Sequence, residues 1–76
     1  MAENYEIVKK IAVLGGREGG VTKELNLLRW GSWDAMYDIR RWDDGKPKKG
    51  ISLRPEEAEK LLLALGGALK DEKSEE

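Results

Sequence analysis

Between Met36 and Leu53 the sequence runs MYDIRRWDDGKPKKGISL and then meets Pro55. An alternating segment, an Asp-Gly turn signal, a short apolar segment and a proline at a favoured first helical position describe a β-hairpin that feeds a helix. Met36–Trp42 is the first strand of that hairpin. Tyr37, Ile39 and Arg41 point to one side of it, and Asp38, Arg40 and Trp42 to the other. The second set is odd for a core and suits a surface that meets a ligand. Asp43–Gly50 is expected as a basic hairpin loop, and Ile51–Leu53 as a short strand after it.

Two further strands precede the hairpin. Tyr5–Leu14 is rich in β-branched and aromatic residues. Tyr5, Ile7, Ile11 and Val13 share one phase, interrupted by Lys9, while Val8, Ala12 and Leu14 share the other. Gly15–Gly20 (GGREGG) breaks that pattern as a loop. It lacks the spacing and the closing Gly-Lys-Ser/Thr of a phosphate-binding loop. Val21–Trp30 is read as a strand, although KELNLLR also has fair helix propensity. A β-bulge between Leu25 and Leu28 would reconcile its two apolar phases. Gly31–Ala35 is a turn.

After Pro55, Glu56 and Glu57 suit the positive end of a helix dipole. Ala58, Leu61, Leu62 and Leu65 then form one apolar stripe. Arg54 stands where a capping Asn, Ser or Thr would be favoured. Gly66-Gly67 is expected to end or fray the helix, with Ala68 and Leu69 able to extend the stripe. The last seven residues, KDEKSEE, contain nothing apolar and are expected to be disordered. Four strands followed by a helix give an α+β fold in one domain, 1–67, with an acidic tail, 68–76.

The chain has 76 residues, no cysteine and no histidine. Disulfides, thiolate metal sites and thiol catalysis are therefore excluded, and the commonest general base and metal ligand is missing. Asp43-Asp44 and Glu56-Glu57 are the adjacent carboxylates, but neither pair comes with a nucleophile or a metal partner. A turn and a helix N-terminus explain them, so neither an enzyme nor a cofactor is expected. A domain this short is marginal alone, which makes a homodimer the expected state. No apolar run reaches membrane-spanning length and no secretory leader is seen, so a cytoplasmic location is expected.

Net charge is −1, but it is unevenly spread. From Arg17 to Arg54 nine Lys/Arg face six Asp/Glu, and from Pro55 onward three Lys face seven acids. Trp30, Trp33 and Trp42 fall in the basic part, beside Arg29, Arg40 and Arg41 and ahead of Lys46, Lys48 and Lys49. Rings that stack on bases, interleaved with cations that follow phosphates, are what single-stranded nucleic acid requires. One tryptophan is expected in the core and two at the surface. Trp42, sharing a phase with Arg40, is the first candidate for stacking.

The order DIR-x-W, a spacer, K-G-I-S-L and a Pro-Glu helix start (Tyr37–Trp42, then Lys48–Leu61) resembles the positive cofactor 4 family of transcriptional coactivators. Lys23–Asn26 (KELN), followed by Trp30-Gly31, is similar to its small bacterial YdbC-like branch. The resemblance spans about Tyr5 to Leu65. It implies a curved four-stranded antiparallel sheet followed by a helix, a homodimer built through helices and sheet edges, and single-stranded DNA bound with little sequence preference. It further implies Arg40, Trp42, Lys48 and Lys49 in or beside the binding surface, with Lys23, Asn26, Arg29 and Trp30 on the preceding strand. The loop cations, Lys46 among them, suit phosphates. A role in transcription or DNA maintenance follows, nucleoid-associated in a bacterium. Trp33 is either a stacking platform or a dimer contact.

Two other readings remain open at this stage. RNA would use the same surface, since nothing in the sequence distinguishes the 2′-hydroxyl. Alternatively, the leucine stripe or a sheet edge would serve a protein-interaction module.

Overall fold

The computed structural model describes residues 4–17 and 19–74. Four strands, β1 (Tyr5–Arg17), β2 (Val21–Trp30), β3 (Met36–Asp43) and β4 (Lys46–Leu53), form one antiparallel sheet in the order β1-β2-β3-β4. A single helix, α1 (Pro55–Ser74), follows. The α+β arrangement expected from the sequence is therefore present. Among the described residues no helix is long and apolar enough to cross a membrane.

β1 is longer than the sequence pattern suggests, because Gly15–Arg17 continue the strand rather than open a loop. Its 13 residues pair with only 10 on β2. Register shifts at Ile7/Lys9, Lys10/Ala12 and Val13/Gly15 accommodate the surplus. The extra residues are Val8, Ile11 and Leu14, three apart. Their repeated insertion is why β1 shows two apolar phases. The bulge anticipated on β2 is absent from its pairing with β3, which runs without a shift from Val21↔Asp43 to Leu28↔Met36.

Bulges bend and overtwist the strand that carries them. Tyr5 lies opposite Trp30, and Trp42 opposite Thr22. Those positions on β2 are eight residues apart, about 27 Å along a flat strand. Yet the Tyr5 and Trp42 rings meet edge to face with centroids 6.0 Å apart. The sheet is thus curled, and the face carrying Tyr5, Leu28, Trp30, Asp38, Arg40 and Trp42 is its concave face. Leu28 and Trp42 are its buried apolar residues, and Asn26 and Asp38 its buried polar ones.

The opposite, convex face has two apolar tiers. Leu25, Ile39 and Ile51 line up across β2, β3 and β4, and so do Leu27, Tyr37 and Leu53. None of the six is fully buried within one chain.

The anticipated basic loop 43–50 is mostly strand. Asp43 pairs with Lys46 across a two-residue turn. Asp44 and Gly45 both have positive φ, 56° and 80°, the backbone of a type I′ turn. Lys46, Lys48 and Lys49 therefore lie on β4. Pro47 is tolerated there because β4 is an edge strand. One extra residue on β4 between Pro47 and Gly50 makes a further bulge opposite Arg40–Trp42. At Gly50 the strands come so close that a Cβ would collide with Arg40 Cβ and lie 2.6 Å from the Ile39 carbonyl oxygen.

Pro55 begins α1 as expected, and the missing cap is supplied from inside the helix. The Glu57 carboxylate accepts a hydrogen bond from the Arg54 N–H at 2.8 Å. This is the back-reaching half of a capping box. The expected stop at Gly66-Gly67 does not occur, since α1 runs on to Ser74. Two glycines cost a helix about 1 kcal/mol each relative to alanine, and strong helix formers on both sides carry the hydrogen-bond ladder through them. Residues 68–74 of the anticipated disordered tail are helical, and residues 75–76 lie outside the described residues. Helix α1 approaches only β3 and β4. Leu62 and Leu63 are 69 % and 71 % exposed, and Leu61, Leu65 and Leu69 are also open to solvent.

Candidate nucleic-acid interface

Alternation along each strand divides the expected binding residues between two faces. Asn26, Trp30, Arg40 and Trp42 belong to the concave face. Lys23 and Arg29 lie on β2 in the opposite phase, so they are on the convex face. Lys46, Lys48 and Lys49 are exposed along the β4 edge.

On the concave face the aromatic residues form one cluster. The Trp30 ring lies 5.3 Å from that of Tyr5, and the Arg40 guanidinium carbon sits 5.0 Å from the Trp30 centroid. Trp30 is half-buried. Trp42 is only 5 % exposed. This corrects the expectation that Trp42 is the first stacking residue: the curl of the sheet brings Tyr5 over it, and it is the core tryptophan. Trp33, in the turn between β2 and β3, is 74 % exposed. A Trp33 N–H···O=C Trp30 bond of 3.0 Å closes that turn, and Gly31 donates to the Asn4 carbonyl at 2.6 Å.

Arg40 is engaged within the protein. Its Nε donates to Asp38 Oδ1 at 2.6 Å, its Nη2 to Asp38 Oδ2 at 2.7 Å, and its Nη1 to the Lys48 carbonyl at 2.7 Å. Ser52 Oγ donates to the same carboxylate at 2.9 Å. The Arg40 side chain is 13 % exposed and that of Asp38 fully buried. Removing both charges from water is tolerable only because the pairing is bidentate and the other lone pairs are satisfied. Arg40 therefore orients Trp30 and ties β3 to β4, with its charge already neutralised. Asn26 is buried as well, beside Asp38 across the ladder, and its Nδ2 has no partner among the described residues. The Trp42 Nε1 is likewise unpartnered. Neither side chain offers an exposed edge to a ligand in this arrangement.

Arg29 is paired to Glu6 of β1 at 2.8 Å in an exposed bridge. Such a bridge is weak and exchangeable. Lys23, Arg41, Lys46, Lys48 and Lys49 are exposed, and none has an ion pair among the described residues. Arg41 shares the phase of Tyr37 and Ile39, as alternation along the strand predicts, and the cross-strand register sets it opposite Lys23. Its role is not legible from phase, because that face reads as core-facing while Arg41 is exposed on it. Among the described residues no group of His, Cys, Asp or Glu could hold a metal ion.

Comparison of the chain with protein-family models and with curated protein sequences gives no match.

Proposed function

We propose that this protein binds single-stranded nucleic acid, DNA in the first instance, with little sequence preference and as a homodimer. The observation that carries the reading is the Tyr5–Trp30–Arg40 cluster. It is a half-exposed indole packed against a ring and a guanidinium on a curved sheet, with the exposed Trp33 three residues further on. A ring held by such contacts loses less freedom when a base stacks on it. Exposed cations on β2, β3 and β4 supply attraction for phosphates. The motif order shared with the positive cofactor 4 family supports the same reading, and with it a role in transcription or DNA maintenance.

The dimer rests on surface left uncovered. The chain exposes 6341 Å², against about 4,700 Å² expected for a compact monomer of its mass. Its radius of gyration is 14.5 Å, where a compact chain of this length would have about 11 Å. The leucines of α1 and Ile51 of the convex tiers stand open to solvent, and a second copy is the occupant that fits. The same exposed leucines would suit a foreign helix if the protein proves monomeric in solution.

Titration with a dT oligonucleotide and with a duplex at two salt concentrations tests the function. Tryptophan quenching by the single strand, weaker duplex binding and loss of affinity with salt are expected. An absence of both quenching and mobility shift at low salt would exclude nucleic acid. Competition with a matched RNA decides between DNA and RNA.

A further inference from the structure

Building on the nucleic-acid reading, we infer that Arg41 is the central phosphate contact, in a basic depression on the convex face shared with Lys23 and Lys49. The depression has a volume of about 290 Å³ and is lined by Lys23, Ile39, Arg40, Arg41 and Lys49. A second cavity of about 400 Å³, reaching the Gly15–Gly16 end of β1, shares Lys23 and Arg41 with it. These two residues border both cavities.

Lys23 and Arg41 are directly paired across β2 and β3. Like charges in that position repel each other. Asp43 lines the neighbouring cavity but forms no ion pair with either, and neither cation has another partner among the described residues. An arrangement that is unfavourable in the free protein and open to solvent is satisfied by an anion seated between the charges. A guanidinium offers a planar pair of donors that matches two phosphate oxygens. Lys23 and Lys49 add point charges on either side. Arg40 also borders the depression, but its guanidinium turns to the other face of the sheet, where it pairs with Asp38 and lies over Trp30. With Arg40 neutralised by Asp38, Arg41 is the arginine of this pair whose charge remains available.

The test compares wild type, Arg41→Ala, Arg41→Lys and, as a control on the helix, Lys60→Ala. Binding to a dT oligonucleotide is measured over a range of salt, and thermal melting with and without sodium tripolyphosphate. Arg41→Ala is expected to weaken binding about tenfold at low salt and to flatten the log K against log salt slope by about 0.7. Arg41→Lys should recover most of the slope, and Lys60→Ala should change neither quantity. Tripolyphosphate should raise the melting temperature of wild type and not of Arg41→Ala. If wild type binds the oligonucleotide and Arg41→Ala retains both affinity and slope, the Arg41 site is overturned and the general function stands. If wild type binds no oligonucleotide, the functional reading fails. An Arg41-dependent tripolyphosphate shift would then still support the anion site, and its absence would overturn that too.

Discussion

Asp38 and Arg40, two residues apart on one strand, form a bidentate ion pair with Nε–Oδ1 at 2.6 Å and Nη2–Oδ2 at 2.7 Å on the concave face of the sheet. The pair draws Ser52 and the Lys48 carbonyl into one network. It fixes β4 to β3 and lays a guanidinium against Trp30. An arginine that looks like a phosphate ligand in the sequence is in this way a positioning residue.

Replacing Asp38 with Ala should leave a buried guanidinium without its counter-charge. A loss of about 3–5 kcal/mol is expected, enough to unfold a domain this small. Urea denaturation of Asp38→Ala beside wild type measures it. A midpoint within error of wild type would mean that Arg40 can turn to solvent at no cost.

Gly50 permits the close approach of β4 to β3. In Gly50→Ala the new methyl group meets Arg40 Cβ and the Ile39 carbonyl, both parts of the strand itself, so relief requires backbone movement. Destabilisation of about 1–3 kcal/mol is expected, together with a disturbed Arg40–Trp30 contact. Thermal melting and tryptophan emission read the two effects separately.

The three tryptophans should separate by role. Trp42→Ala removes a buried indole and should cost about 3–5 kcal/mol of stability. Trp30→Ala should weaken single-strand binding by about 1–3 kcal/mol. Trp33→Ala, at an exposed turn, should leave the melting temperature within about 4 °C of wild type, since surface substitutions usually change stability by less than about 0.5 kcal/mol. Equal stability losses for Trp33 and Trp42 would contradict the burial pattern.

A charge placed in the helix stripe should disrupt the dimer. Wild type is expected at twice the chain mass by light scattering, and Leu62→Glu at the chain mass, or shifted to monomer on dilution. A monomeric wild type would instead favour a foreign partner for the leucines.

Much of the architecture was legible in the residues. Val21–Trp30 and the Gly31–Ala35 turn fall where alternation and turn chemistry put them, and Pro55 starts the helix. Asp44-Gly45 marked a hairpin, but its two-residue geometry turned a supposed basic loop into strand. Continuation of α1 past Gly66-Gly67 was hidden because local propensity speaks against it.

Which residues could touch nucleic acid was less legible. Strand phase correctly placed Trp42 and Arg40 on one face, and it also set Arg41 apart from them. Phase says nothing of curvature. Composition, alternation and turn residues determined four strands, one helix and the supply of cations and rings. Tertiary structure alone decided that Trp42 is buried, Arg40 neutralised and Arg41 exposed. The reason is that three bulges on β1 curl the sheet, and burial depends on what the curl brings together across strands, which no single strand encodes.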